Sequence, residues 1–170
     1  MHLSWAWDDD GQAIAIVAIF LTVLAVAAIG FVDLGRAQVR LSRVESAAAR
    51  GAEAAASVLG DAVAREQRAA YLASGSIDLS ASGWASVLAS PDVREAARSI
   101  VTANLPGLTS VVDVIDPDAS DPRTLAASPP RQLRVEVRVS VPMEMYLGSA
   151  FGRPMLTIRG AARAAYPLSP

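Results

Sequence analysis

An uninterrupted apolar run near the N-terminus limits what this chain can fold into more than any other feature. Within the stretch from Asp8 to Arg36, residues 13–32 contain no ionisable side chain, and Thr22 is their only polar residue. These 20 residues form a helix of about 30 Å at about 1.5 Å per residue, which matches the hydrocarbon layer of a bilayer. A helix in a small soluble domain normally keeps a polar face. The run therefore predicts a single transmembrane helix.

The composition fits one membrane span joined to one small domain. The 170 residues are 52% hydrophobic and 19% charged, and the mean hydropathy of +0.34 is low for a protein with many spans. Because the chain has no cysteine, it has neither disulfides nor thiolate metal sites. Every basic residue is arginine, and the net charge is −2. This balance argues against a nucleic-acid partner, because phosphate binding needs a concentrated positive patch.

The residues that flank the run argue against a cleaved secretory signal. Such a signal needs a basic segment before a shorter apolar run, whereas MHLSWAWDDDG contains no basic Arg or Lys side chain. The helical pattern also continues after the run, with small or apolar residues at steps of three and four: Leu41, Val44, Ala48, Ala52, Ala55, Leu59 and Ala62. We predict an N-terminal leader over residues 1–11 and one helix over residues 12–72, apolar at first and amphipathic after that.

Residues 73–170 are predicted to form a small α+β domain. Ser90 as N-cap, Pro91 at the first helical position and the stop NLPG predict one helix. Strands are predicted over residues 108–116, 131–143 and 154–166, the second of them from a strict alternation of apolar and polar residues. The segments between these elements are predicted to be loops. The fold class is thus α+β, with the long helix packed on a small antiparallel sheet and one additional helix.

The stretch over residues 11–56 resembles the N-terminal module of the TadE/TadG-like proteins of tight-adherence (Flp/Tad) pilus systems. The shared features are a glycine before the apolar run, here Gly11, a D-x-G-R motif at its end, here Asp33, Gly35 and Arg36, and an Ala-rich helix with scattered arginines. The resemblance implies a pilin-like fold and a minor pilin or pseudopilin. It also implies these partners: the lipid bilayer, other pilin-like subunits, pilus assembly platform proteins and a prepilin peptidase.

Prepilin processing would cut between Gly11 and Gln12, and an uncleaved anchor is the alternative. Members of the family that are close to the prepilin pattern carry a glutamate five residues after the cut, where this chain has Ile16. A carboxylate buried in a bilayer is expensive, and it is tolerated because it can pair with a neighbour's N-terminal amine. Ile16 cannot do so. We therefore expect a subunit at a filament tip, one that works only in assembly, or one that stays in the membrane.

The charges that flank the run point to the opposite orientation. Cytoplasmic flanks normally hold the excess of arginine and lysine. Here the acidic residues Asp8, Asp9 and Asp10 precede the run, and Arg36 and Arg40 follow it. Taken alone, this rule places the C-terminal domain in the cytoplasm. The resemblance places it outside, and we expect the outside placement in a single-pass cell-membrane protein.

Catalytic or metal-binding chemistry has little support in the sequence. His2 is the only histidine and lies in the leader, so a catalytic pair that uses a histidine is excluded within one chain. The acidic stretch with Asp113, Asp116, Asp118 and Asp121 fails the EF-hand pattern at its sixth and twelfth positions. We expect a solvated loop there, with cation binding as the alternative, and no catalytic, cofactor or metal residues elsewhere.

Two further patterns have simple explanations. Small side chains on one face of the apolar run could let another helix approach closely, although chance alignment is equally expected in an Ala-rich chain; they are Ala15, Ala18, Thr22 and Ala25. Glu136 lies between Arg134 and Arg138 on the polar face of the alternating strand, where a surface ion pair is expected.

The sequence therefore favours a membrane-anchored, pilin-like structural or assembly subunit that is not an enzyme. A single-span binding or regulatory protein, whose α+β domain recognises a partner, is the alternative from another class. A hydrolase with an Asp or Glu site is disfavoured, because no carboxylate pair falls together on one element. Neighbouring genes for a secretion ATPase and a Tad membrane platform would favour the first interpretation.

Overall fold

The computed structural model describes residues 9–115 and 121–168, and the side chains of residues 12–114 and 121–168. The elements in chain order are α1 (Asp9–Ser74), α2 (Ala81–Leu88), α3 (Pro91–Asn104), β1 (Val111–Ile115), α4 (Pro122–Ala127), β2 (Gln132–Glu144), α5 (Tyr146–Ala150) and β3 (Met155–Pro167). A long N-terminal helix packs on a three-stranded antiparallel sheet of order β1-β2-β3. The predicted α+β fold class is confirmed.

The described chain divides into two compact units. The first unit combines residues 9–39 with residues 143–156, and the second combines the rest. In the first unit, an 18-residue window of α1 has a mean hydropathy of 2.9, and none of it is buried. By length and composition, α1 is the one described helix that could cross a membrane.

The core of the second unit lies between the C-terminal part of α1 and the apolar face of β2. Six of the seven residues predicted for the inner face of the helix are buried, whereas Leu41 is 38% exposed. The predicted inner face of β2 is at most 1% exposed; its residues are Leu133, Val135, Val137, Val139 and Val141. In the register of β1 with β2, Val112 pairs with Val139 and Val114 pairs with Val137. The period-two pattern therefore identified the buried face of this sheet correctly.

Glycines let α1 approach its neighbours closely in this unit. A Cβ at Gly51 would stand 2.8 Å from Val101 Cγ2, and one at Gly60 would collide with the ring of Tyr166. On the strand side, a Cβ at Gly160 would stand 2.9 Å from Val44 Cγ1. Gly51 and Gly60 each cost about 1 kcal/mol relative to alanine in a helix interior. They are tolerated because α1 packs so closely against α3 and β3 that no side chain would fit.

The additional helix is confirmed as α3, with Ser90 at its N-cap and Pro91 in its first turn, although the Ser90 hydroxyl makes no capping hydrogen bond. Three segments predicted as loops contain short helices instead, namely α2, α4 and α5. Ser80 caps α2, which buries Trp84 and Val87, and Asp121 caps α4. Helices α2 and α4 contact each other. Burial between them supplies the stability that segments of this length lack in isolation.

Candidate functional site

A buried carboxylate lies directly after the apolar run, within the first unit. Asp33 is 1% exposed. Its Oδ1 accepts a hydrogen bond from the backbone N–H of Tyr146 at 3.1 Å, and its Oδ2 accepts one from the N–H of Leu147 at 2.7 Å. These two N–H groups belong to the first two residues of α5. The N-cap residue of this helix, Met145, makes no capping hydrogen bond with its side chain. Asp33 therefore caps this helix from a position 113 residues earlier in the chain.

Arg36 completes the arrangement around Asp33. Its Nη1 lies 3.6 Å from Asp33 Oδ1 as an ion pair, and its guanidinium carbon lies 4.5 Å from the centroid of the Tyr146 ring. Nη1 is buried and makes no hydrogen bond among the described residues. A carboxylate that loses water needs such compensation, and here two N–H donors and one cation provide it. We call Asp33, Arg36, Tyr146 and Leu147 the boundary cluster.

The connection between β2 and β3, residues 145–154, is a compact closed loop rather than an irregular one. The Met145 N–H donates to the Pro154 carbonyl at 2.8 Å. A side chain at Gly148 would collide with the Arg153 carbonyl, and Gly152 has a φ of +70°. Leu147 Cδ2 lies 3.6 Å from the Cβ position of Gly30. The loop therefore packs against the last turn of the apolar run.

The D-x-G-R motif at the predicted membrane boundary, Asp33, Gly35 and Arg36, which we call the boundary motif, is only partly assembled into a site. Asp33 and Arg36 come together, but no described atom lies within 4 Å of where a Gly35 side chain would stand. Sequence reasoning placed this motif at the membrane boundary and missed its partner, the N-terminus of α5. The sequence gives only a weak indication of this contact, because the one local sign is that the stretch around Tyr146 lacks a capping residue of its own. Its separation from Asp33 along the chain is too large for a local pattern to predict the pairing.

The stripe of small residues is uncovered in the described structure. All four of its members are exposed; they are Ala15, Ala18, Thr22 and Ala25. The Thr22 hydroxyl donates to the Ala18 carbonyl at 2.8 Å, so the one polar group in the run is satisfied within its own helix. Close packing of another helix on this stripe stays a prediction.

The remaining predicted positions fall near the edges of the described structure. Gly11 and Gln12 belong to the first turns of α1, and processing between them stays a prediction. His2, Asp116 and Asp118 lie outside the described residues. Asp121 is described, and its carboxylate accepts the Arg123 N–H at 3.1 Å as the cap of α4. Within residues whose side chains are described, no group of three or more His, Asp or Glu residues could hold a metal ion.

Glu136 corrects the prediction of a surface ion pair. It is only 4% exposed. Its Oε1 lies 2.6 Å from Arg138 Nε, as predicted, but its Oε2 lies 2.7 Å from Arg163 Nε on β3. The sequence predicted an antiparallel sheet but not the register of β3, which adds the second cation and covers the carboxylate. Hydrogen bonds from Arg163 and then Arg138 lower the pKa of Glu136, although burial opposes the shift.

This geometry predicts that Glu136 makes stability dependent on pH. Because its folded pKa lies below its unfolded pKa, the stabilisation is present at neutral pH and is lost as the pH falls through the lowered pKa. Glu136→Gln should therefore lower the urea concentration at the midpoint of unfolding at pH 7. The difference in this midpoint between variant and wild type should become smaller in acid. Circular dichroism of the full chain in detergent measures both. Glu144→Gln, at an exposed position of the same strand, is the control. Equal stability of Glu136→Gln and wild type at pH 7 would contradict the role of this ion pair.

Comparison of the chain with models of protein families, with curated proteins and with solved structures finds no match.

Proposed function

We propose that the protein is a membrane-anchored minor pilin or pseudopilin that acts in the initiation or at the tip of a Tad/Flp-type pilus or a related secretion filament. The observation that carries the proposal is α1, which is a single helix from Asp9 to Ser74. None of its apolar window is buried, whereas its later residues, such as Ala48 and Leu59, are buried in an α+β core. A pilin-like subunit needs both properties, because one part of its helix must enter lipid or a helical bundle and the other must hold a folded domain.

The boundary motif adds support from the residues that carry the family resemblance. Asp33 and Arg36 are in contact, and Asp33 binds the backbone of α5. A carboxylate that is buried, as Asp33 is, is costly unless it is paired. The motif thus has a physical role in a membrane-anchored chain, where it satisfies charge at the boundary and attaches a loop of the following domain.

Ile16 favours a place at an end of the filament or outside it. Its side chain is 60% exposed on the apolar window, and it cannot accept a charged amine from a neighbouring subunit. An unpaired charge in hydrocarbon costs several kcal/mol. In the proposal the subunit is inserted with its C-terminal domain outside the cytoplasm, a prepilin peptidase cuts between Gly11 and Gln12, and assembly platform proteins and other pilin-like subunits are its partners.

A single-span binding or regulatory protein is the second candidate function. The observation that favours it is the order of the flanking charges, with acidic residues before the run and Arg36, Arg40 and Arg43 after it. That order suits a cytoplasmic C-terminal domain. In this case the partner of the domain would be cytoplasmic, and no filament would contain the protein.

The copy number in isolated filaments tests the proposal. Since a subunit without the carboxylate can have a neighbour on one side only, we expect it at far lower abundance than the major pilin in sheared filaments. Quantitative mass spectrometry of sheared filaments, with the membrane fraction of the same cells as the control, measures the ratio. A ratio close to one along the shaft would rule out the tip or initiation role.

A further inference from the structure

The connection between β2 and β3 has an unusual composition for an exposed loop. Residues 145–154 and the first two residues of β3, Met155 and Leu156, together include six large apolar side chains, one arginine and no acidic residue. Exposed loops of soluble domains are normally rich in polar residues and small turn formers. The composition therefore needs an explanation in terms of what surrounds this segment.

Four of these apolar side chains are exposed on the surface of the protein. Phe151 is 73% exposed, Tyr146 64%, Met155 55% and Leu156 40%. We call these four residues the connection patch. Tyr146 and Phe151 lie in the closed connection, and Met155 and Leu156 follow it directly at the start of β3. They are therefore neighbours along the chain rather than apolar residues scattered singly over a protein surface. A cluster of this kind marks a contact with another apolar phase or molecule.

The position of the segment on α1 indicates which phase this is. Leu147 packs against Gly30, within the apolar run, and Asp33 binds the N-terminus of α5 directly after the run. Both contacts lie within the first compact unit. Consequently, if residues 13–32 span a bilayer, the connection lies at the level where hydrocarbon gives way to headgroups.

We propose that the β2–β3 connection is a second, interfacial membrane contact, in which the connection patch enters the headgroup region of the bilayer and Asp33 holds it there. The inference rests on the membrane anchoring in the proposed function. Aromatic side chains prefer this depth, because a ring fits the apolar side while a polar group such as the Tyr146 hydroxyl stays hydrated. Arg153 is exposed in the same loop, and a basic residue without acidic neighbours suits anionic lipid headgroups.

A lipid surface is favoured over a second copy or a protein partner because the span already brings it to this loop. Association with a separate molecule must overcome the loss of translational and rotational freedom. The connection bears no such cost towards lipids that surround the helix to which Asp33 and Leu147 fix it. Four apolar side chains therefore suffice here, although they form a patch far smaller than a stable protein interface requires.

Site-specific fluorescence tests the proposal, and the chain suits it because it contains no cysteine. The full chain is reconstituted into vesicles of phosphatidylcholine and phosphatidylglycerol with an environment-sensitive dye on a single cysteine. Phe151→Cys and Met155→Cys report on the connection patch. Leu24→Cys, in the apolar run, is the embedded control, and Leu72→Cys, at an 80% exposed position near the end of α1, is the aqueous control.

We expect dyes at positions 151 and 155 to emit at shorter wavelength than the dye at 72, and to be quenched by spin-labelled lipids near the headgroup more than by aqueous iodide. If they behave like the dye at 72 while the dye at 24 is shielded, the connection is in water or awaits a protein partner, and the inference is wrong although the anchor stands. If the dye at 24 is also aqueous, the anchor fails as well.

A second variant separates the role of Asp33 from the hydrophobicity of the patch. Asp33→Ala removes both hydrogen bonds to α5 and leaves the connection patch unchanged. With Phe151→Cys, it should shift the emission of the dye towards longer wavelength and increase quenching by iodide. Asp113→Ala, which removes an exposed carboxylate on β1, should leave both readings unchanged. An equally shielded dye in Asp33→Ala would contradict the positioning role of Asp33.

Discussion

Leu24→Arg should lower the equilibrium constant for membrane insertion about 100-fold and so shift protein out of the membrane fraction, because arginine near the centre of a span costs about 2.5–3.5 kcal/mol on insertion scales and each 1.4 kcal/mol is about tenfold. Leu24 lies mid-run and is 49% exposed on α1. In a soluble helix with this exposure, arginine would reach water with little cost. The size of the effect therefore distinguishes a membrane span from an exposed apolar helix of a soluble protein.

The measurement is the fraction of protein that membranes keep after a carbonate wash. Leu24→Ala removes side-chain volume without adding charge, and Leu72→Arg adds the same charge near the far end of α1; both should be retained like the wild type. Full retention of Leu24→Arg together with extraction of the wild type would show that α1 does not span the bilayer.

Much of the fold could be predicted because it depends on periodicity along one segment. The inner faces of α1 and β2 follow repeats of 3.6 and 2 residues, and burial of Val44 or Val137 requires no knowledge of a distant partner. Leu41 was an exception, since it continues the repeat but is 38% exposed. Helices α2 and α4 were missed because their stability comes from contact with each other, which local composition does not reveal.

The site could be predicted only in part, for a similar reason. Asp33 and Arg36 drew attention through their place at the end of the run, but their function depends on Tyr146 and Leu147, which the chain brings back after more than 100 residues. Glu136 likewise acquires Arg163 from a strand whose register the sequence did not reveal. Tertiary pairings between polar groups leave no periodic signal, whereas burial of apolar faces does.

Deletion of the gene should abolish or shorten pili rather than reduce their number slightly. If the subunit starts a filament, its absence removes the nucleus on which every later subunit is added, so the effect is disproportionate to its copy number. Ile16 leads to the same expectation, because a subunit that cannot accept a neighbour's amine is expected to act at an end of the filament or only in its assembly. Expression of the wild-type gene from a plasmid should restore pili, and expression of Leu24→Arg should not.

Electron microscopy of the deletion strain beside its parent is the most direct test of a role in filament assembly. The number and length of pili per cell are counted in the parent, the deletion strain and the complemented strain, with the level of major pilin in the membrane followed as a control. The proposal predicts pili that are absent or much shorter in the deletion strain at an unchanged level of major pilin. Normal piliation without the gene would contradict it and favour the single-span binding protein.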